Sequence, residues 1–454
     1  PPPPPPFAPA YSIQFGVMEK GSIVPISTPF STTTAYLQVA FDANTVGTKR
    51  VRRPDASIDE ALAEAKTAVL PAGATPPKLT PIWGYTFCTS TFIRDIEPAC
   101  FLESSLDPGY AAKAAEFNQM FPISDTNNAG IGMISADQKA NKRGYFEARA
   151  IYTNPTALAN AMGNLTAAGV GDDYMVVSMG DEIALATPSG AAGATLFKQF
   201  LSQNHYPAGL PFNATICFDP VHCNPEVFYY SNLFVNAYGL SVLAPATKKI
   251  TAALKNAGVG ANYSPLAYSA GGYTEFQYWY PVNKAVTIFR EGAMTLPWSE
   301  DYTWQSPIGT QQMTTILHDL FRAGLRGVDK TPQTSRMMSY IMAHAPGTTA
   351  KMWRRAMFGY LAHGVTMINL YEFRPCLASY TENYVDAGWG MYGAVRQALG
   401  ELSLFEDIIQ DGRVAYGDVG IWNSDVMDIW GPATQPVGLT GEHFNTFLAG
   451  KRAM

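Results

Sequence analysis

The chain is poor in charge. Only 15% of its 454 residues are Asp, Glu, Lys or Arg, against about 25% in an ordinary globular protein. Lys and Arg number 31 and Asp and Glu 37, a net charge of −6. That mild acidity argues against a nucleic-acid binder, which needs a basic face. No run of about 18 apolar residues is free of charge, so no membrane span is expected. The five cysteines, Cys88, Cys100, Cys217, Cys223 and Cys376, form no Cys-x-x-Cys pair, which removes a zinc ribbon or a thioredoxin-type site. No Gly-x-Gly-x-x-Gly follows a strand, so a dinucleotide fold loses its main signal. No Gly-x-Ser-x-Gly elbow marks a serine hydrolase. The six histidines are scattered, with no His-Glu-x-x-His, and nothing calls for a metal or another cofactor.

What is present is core-forming. Apolar residues make up 47% and aromatics 12%, the composition of a folded protein rather than a disordered one. The length fits two or three domains, or one α/β barrel of about 250 residues with flanking pieces. No charged-then-apolar leader opens the chain. It opens on Pro1 to Pro6, a polyproline II spacer that suggests a processed or partial chain. Three acceptor sequons begin at Asn164, Asn213 and Asn262. Cys88 with Cys100, and Cys217 with Cys223, are close enough in sequence for small disulfide loops. Together these features favour a secreted glycoprotein, extracellular or at the cell surface.

The pattern divides the chain into a polyproline spacer (1–10), a β-rich extension (11–80), a strand–helix region (81–405) and a further α/β beginning (406–454). Tyr11 to Phe41 alternates apolar residues with Ser and Thr, the period of strands. Lys49 to Arg53 is a short basic run, read as a solvated loop. Ser57 and Glu60 form the capping box of a helix over Ser57–Val69. From about Pro81, strands are predicted at Ile82–Cys88, Tyr174–Met179, Gly258–Tyr263, Met294–Trp298, Met338–Met342 and Val365–Leu370. Helices are predicted at Thr195–Gln203, Asn232–Asn256 with a break near Pro245, Gln311–Gly324 and Ala350–His363. Such alternation means a parallel sheet, and its span of about 290 residues fits a closed (β/α)8 barrel better than a doubly wound sheet. Val419–Trp422 reads as a strand of a new unit.

In a barrel, chemistry sits where strands end. Gly180-Asp181-Glu182 follows Tyr174–Met179, and reads either as an active-site turn or as acids starting a helix. Ser299-Glu300-Asp301-Tyr302-Thr303-Trp304 follows Met294–Trp298 and sets two carboxylates among Trp298, Tyr302 and Trp304. Aromatic faces stack on sugar rings, and carboxylates do acid–base or nucleophilic work on glycosidic bonds; the other reading is an aromatic core patch with capping Ser299 and Asp301. His344 follows Met338–Met342, with site and structural roles both open. Tyr371, Glu372 and Arg374 follow Val365–Leu370, where Glu372 and Arg374 serve a ligand or pair with each other.

Several longer blocks then carry a resemblance. MVVSMGDEIAL, VGANYSP, FREGAMTLPWSEDYTWQ, LFRAGLRG, MAHAPGTTAKMWRRAMFGYLAHGVTMINLYEFRP, YTENYV and LSLFEDIIQDGRV, spread over about 170–430, resemble a secreted branch of glycoside-hydrolase-like proteins. These belong to clan A and have the layout of the family-42 β-galactosidases. The resemblance implies a TIM barrel followed by a Rossmann-like, amidotransferase-type domain that opens at Val419–Trp422. It implies that Glu182, after the fourth strand, is the general acid/base. The family's nucleophile is a Glu after the seventh strand, but Met338–Met342 is followed by Ala343-His344-Ala345-Pro346-Gly347. Glu300 is therefore the candidate nucleophile or base, with Asp301 or His344 tuning the pair. Asp181, Asn262, Trp298, Tyr302, Trp304, His344, Tyr371, Glu372 and Arg374 are the candidate glycan-binding residues. The competing expectation is an inactive barrel, a pseudoenzyme kept as a structural or sugar-binding module of a proline-rich extracellular assembly or filament. Its partners would be copies of itself or other parts of a longer polypeptide.

Overall fold

The computed structural model describes residues 11–13, 16–19, 22–25, 30–32, 58–77, 82–83, 109–121, 123–124, 144–180, 186–213, 224–263, 285–299, 311–325, 336–343, 345, 348–370, 385, 387–412, 414–415, 418 and 420. They fall in two compact units, Pro1–Arg52 and Arg53–Met454. In the first, β1 (Tyr11–Ile13), β2 (Gly16–Glu19), β3 (Ser22–Pro25) and β4 (Phe30–Thr32) form two antiparallel ladders. β2 pairs with β3, and β1 with β4.

The second unit opens with α1 (Ile58–Lys66). Its expected N-cap, Ser57, lies outside the described residues. There follow β5 (Ile82–Trp83), α2 (Tyr110–Met120), β6 (Ile123–Ser124), β7 (Gly144–Glu147), α3 (Pro155–Ala167), β8 (Tyr174–Ser178), α4 (Gly190–Gln203) and α5 (Pro225–Ala253). Then come β9 (Gly258–Gly260), β10 (Asn262–Tyr263), α6 (Ala285–Arg290), β11 (Trp298–Ser299), α7 (Gln311–Leu325), β12 (Met338–Tyr340), α8 (Ala350–Ala362), β13 (Met367–Asn369), α9 (Met391–Leu402) and α10 (Glu406–Asp411).

All the strand pairings described in this unit are parallel. One sheet runs β10-β11-β12-β13-β5-β6 and the other β7-β8-β9. Only Ala261 separates β9 from β10, so these are two halves of one strand, the fifth in chain order. The last strand lies beside the first, with Ile368 opposite Ile82. An open doubly wound sheet has no such wrap; the fold is TIM-barrel-like α/β. Among the described strands of this unit, β8 is thus the fourth, β11 the sixth, β12 the seventh and β13 the eighth.

The strands serve two cores, because successive side chains point to opposite faces. Tyr145, Val176, Trp298, Met338 and Met367 pack on one face, together with Leu296. Their neighbours Phe146, Val177 and Ile368 pack on the other, in the larger core with the helices.

Several expected boundaries move. β6 and β7, and helices α2, α3, α6, α9 and α10, were not among the predicted elements. The sixth strand begins at Trp298 rather than Met294. Thr295 and Leu296 instead both donate their N–H to the Val259 carbonyl, at 2.8 and 2.9 Å. α3 and α5 each open on an Asn-Pro pair. Asn154 and Asn224 accept the N–H groups of the first turn while Pro155 and Pro225 take the position that needs no donor. The expected break at Pro245 is corrected: α5 runs through it. A proline removes one helical hydrogen bond, but Leu243, Ala246, Thr247 and Ile250 on either side of it are buried. Thr247 also donates to the Ala293 carbonyl at 2.6 Å. Of the strand expected at Val419–Trp422 only Gly420 is among the described residues, and all five cysteines lie outside them.

The fifth strand tolerates no side chain where it meets the segment before β11. A Cβ on Gly258 would lie 2.8 Å from Leu296 Cβ, and one on Gly260 would run into the Leu296 carbonyl oxygen. Gly260→Ala is expected to destabilise the protein by about 3 kcal/mol. A denaturant titration checks this, with Gly163→Ala, which meets nothing within 4 Å, as the control.

Candidate functional site

The carboxyl ends of the strands bring together Glu147 from β7, Ser178 from β8, Trp298 from β11 and Tyr340 from β12. Glu147 and Ser178 are register partners. The Glu147 carboxylate accepts from Tyr145 Oη at 3.1 Å and from the Arg149 N–H at 2.8 Å. It also takes a hydrogen bond from the Ser178 hydroxyl. Ser178 Oγ in turn accepts the Gly180 N–H at 3.0 Å. A chain of donors therefore runs from Gly180 through Ser178 to Glu147. Gly180 has φ +133°, a backbone conformation open to glycine, and it leads directly into Asp181 and Glu182.

Burial raises the Glu147 pKa, and the Arg149 N–H, Ser178, Tyr145 and the Arg149 charge only partly offset this. Such burial at a strand end favours the protonated form of the carboxyl. Sequence reasoning missed Glu147 because its strand was not recognised. The available signal was Gly144-Tyr-Phe-Glu, an apolar run ending in an acid, the same pattern as at Glu182.

On the same face as Tyr145, Trp298 is 2% exposed. Tyr340 stacks on it at 5.6 Å, and Tyr145 meets it edge-on at 6.3 Å. In this position Trp298 is a wall of the inner core rather than an open sugar platform, because its neighbours already cover it. Trp298 Nε1 and Asn369 Nδ2 are buried donors with no hydrogen-bond partner among the described residues.

On the opposite face of the same strands lies a dry polar cluster. His318 of α7, Ser299 of β11 and Ser339 of β12 are each 0% exposed. His318 Nε2 is 2.7 Å from Ser299 Oγ, which is 3.3 Å from Ser339 Oγ. Ser339 donates to the Tyr340 carbonyl at 3.2 Å. Ser299 must then donate to Ser339 and accept from His318, so His318 carries its proton on Nε2. Nδ1 is left as a bare lone pair, with no partner among the described residues. This tautomer follows from the network. Burial, with the charges of His363 and Arg322, holds the His318 pKa down at about 3. The cluster is sealed and faces the helices, so it is no Ser–His nucleophile. It anchors the end of β11, one residue before Glu300.

Asp181, Glu182, Glu300, Asp301, Tyr302, Trp304, His344, Tyr371, Glu372 and Arg374 lie outside the described residues. The points from which two of their segments leave are Gly180 and Ser299. These follow the fourth and end the sixth strand, with one strand between, and in that strand Asn262 lies opposite Trp298. Of the sequon residues, Asn164 on α3 and Asn213 are exposed. Among the described residues no group of three or more His, Cys, Asp or Glu is placed to hold a metal ion. No helix among them is long and apolar enough to cross a membrane.

No protein-family model matches the chain, and no curated protein does. Solved structures do resemble it. One is the cold-adapted β-galactosidase from Rahnella sp. R3, with a TM-score of 0.50 at 13% identity, covering 88% of this chain and 61% of that protein. Another is a catalytic mutant of a family-42 β-galactosidase from G. stearothermophilus, with a TM-score of 0.49 at 11% identity, covering 90% of this chain and 62% of that protein. The chain thus spans about three-fifths of the length of these structures. The likeness is one of fold, and the class it defines is a glycoside-hydrolase-like α/β fold.

Two outcomes follow from the titrating groups. The folded His318 pKa lies below its ordinary value of 6.5. Its contribution is therefore fully present above pH 6.5 and is lost as pH falls towards 3, by about 5 kcal/mol in all. His318→Asn is expected to flatten the acid limb of a stability–pH curve in that window. Glu147 has the opposite sign: its folded pKa is raised, so stability is lost as pH rises through it. Glu147→Gln is expected to raise the thermal midpoint at neutral pH, with the gain vanishing below the carboxylate range; differential scanning calorimetry across pH checks both.

Proposed function

We propose that this chain is a glycoside-hydrolase-like barrel that binds or cleaves an extracellular glycan, with β-galactosides as the first class to test. Glu182 is the general acid/base and Glu300 the nucleophile or base. The observation that carries the reading is Gly180 at the carboxyl end of the fourth parallel strand, leading straight into Asp181-Glu182. A carboxylate at that station is what a general acid for glycosidic cleavage needs. The likeness in fold to the Rahnella β-galactosidase supports the substrate class.

In this mechanism Glu182 protonates the leaving-group oxygen while Glu300, from the sixth strand, attacks the anomeric carbon or activates a water on the opposite face. The separation of the two carboxyls decides between these. About 5–5.5 Å retains the anomeric configuration, and ~6.5–9.5 Å leaves room for a water and inverts it. Asp181, Asn262, Tyr302, Trp304, His344, Tyr371, Glu372 and Arg374 are assigned to the glycan, and Asp301 or His344 to tuning the pair. A barrel closed around all eight strands, followed by a Rossmann-like unit, and a secreted location with sugars on the sequon residues complete the reading.

A second reading is favoured by one feature: no Glu occurs between Ile341 and Ala350, the stretch that follows the seventh strand. On that reading the barrel is an inactive structural or sugar-binding module that assembles with copies of itself. Glu182→Gln distinguishes the two. The enzyme reading expects hydrolysis of an aryl β-galactoside to fall by at least about a thousandfold, with an unchanged circular dichroism spectrum. Undiminished turnover in the variant overturns the role of Glu182. Binding of galactosides by the wild type without any turnover supports the module.

A further inference from the structure

Trp389 stands at an unusual place. It is 54% exposed, whereas large aromatics are mostly buried, and its ring makes no contact with another ring among the described residues. The backbone that carries it is held from several sides. Glu64 of α1 accepts the Gly388 N–H at 2.5 Å and the Tyr392 N–H at 2.9 Å, so one carboxylate brackets the tryptophan from both directions. This carboxylate also suits the positive end of α9. Gly388 and Gly390, on either side, have φ +86° and +75°, a conformation that side-chain-bearing residues rarely adopt. Tyr392 Oη donates to the Val385 carbonyl at 2.9 Å, and Val385 bridges in parallel to Ala345. Both of those residues are buried.

The position matters as much as the mounting. Ala345 lies five residues beyond Tyr340, where the seventh strand ends, so the bridge puts Val385 past the carboxyl ends of the strands. α9 starts on that same face, as helices of a barrel-like α/β fold do. Trp389 is therefore an open indole on a firmly held stretch of backbone, at the rim of the face that holds Glu147 and Gly180. An apolar face carried on a held backbone loses less entropy on docking than one on a free loop. The apolar C–H face of a pyranose ring is a flat partner for it, with hydroxyls left at the edge to stay in water.

We propose that Trp389 is an outer sugar-stacking platform that takes a distal residue of a glycan too long for the mouth alone. The proposal rests on the glycan reading above, and its test separates the two. The probes are β-linked galactobiose and galactohexaose, titrated by calorimetry and by tryptophan fluorescence in the Glu182→Gln background so that neither is consumed. Adding Trp389→Ala is expected to weaken galactohexaose about tenfold and to leave galactobiose unchanged, and Trp389→Phe is expected to recover most of the loss. Equal affinities with and without the indole overturn the platform alone. Equal weakening of both sugars also overturns it. Binding of neither sugar with Trp389 intact overturns the glycan reading together with the platform. A shift from dimer to monomer on Trp389→Ala, seen by sedimentation, overturns the platform by assigning the indole to an interface between copies.

Discussion

The pairing of the last strand with the first is the constraint on which the second unit depends. Once β13 lies beside β5, each strand has one face turned inward and one turned to the helices, and every residue must suit one core or the other. Tyr145 and Phe146 split in this way, as do Val176 and Val177. The same wrap brings strand ends from distant parts of the sequence onto one face. Glu147, Gly180, Ser299 and Tyr340, far apart in sequence, come to the carboxyl ends of the strands only because of it.

The polar groups at those ends are treated in two ways. On the helix side, Ser299, His318 and Ser339 are dry and tied together, leaving one ring nitrogen bare. Such a cluster is tolerable because its hydroxyls satisfy one another and the imidazole stays neutral. On the inner side, Glu147 keeps a carboxyl in surroundings that raise its pKa despite three hydrogen bonds. The desolvation that raises it is offset only in part by Tyr145, Ser178 and the Arg149 N–H. Glu64 is a third case: its charge lies at a helix start, where the dipole and two N–H groups accept it without strain.

Much of the fold was legible in the sequence because long amphipathic helices and apolar strands carry their own period. Gln311–Gly324 and Ala350–His363 lie within one residue of α7 and α8. The two-residue strand β6 has no period to read, and β7 was missed with it, whereas β5 opens the strand expected from Ile82. Pro245 misled in the other direction, since a local rule about proline says nothing of the packing that holds α5 through it. At the candidate site, the turn after the fourth strand was recognisable from its acids. Glu147 was not, because an acid takes on meaning only when its strand is known to end on the same face.

The sequence by itself determined the alternation of strands and helices and the acids that follow apolar runs. Both are written in neighbouring residues and need no distant partner. The tertiary structure alone decided which side chains share a face. It buried Trp298 beneath Tyr340 and left Trp389, just before α9, open to solvent. Burial depends on what the rest of the chain packs against a residue, and no local pattern contains that information.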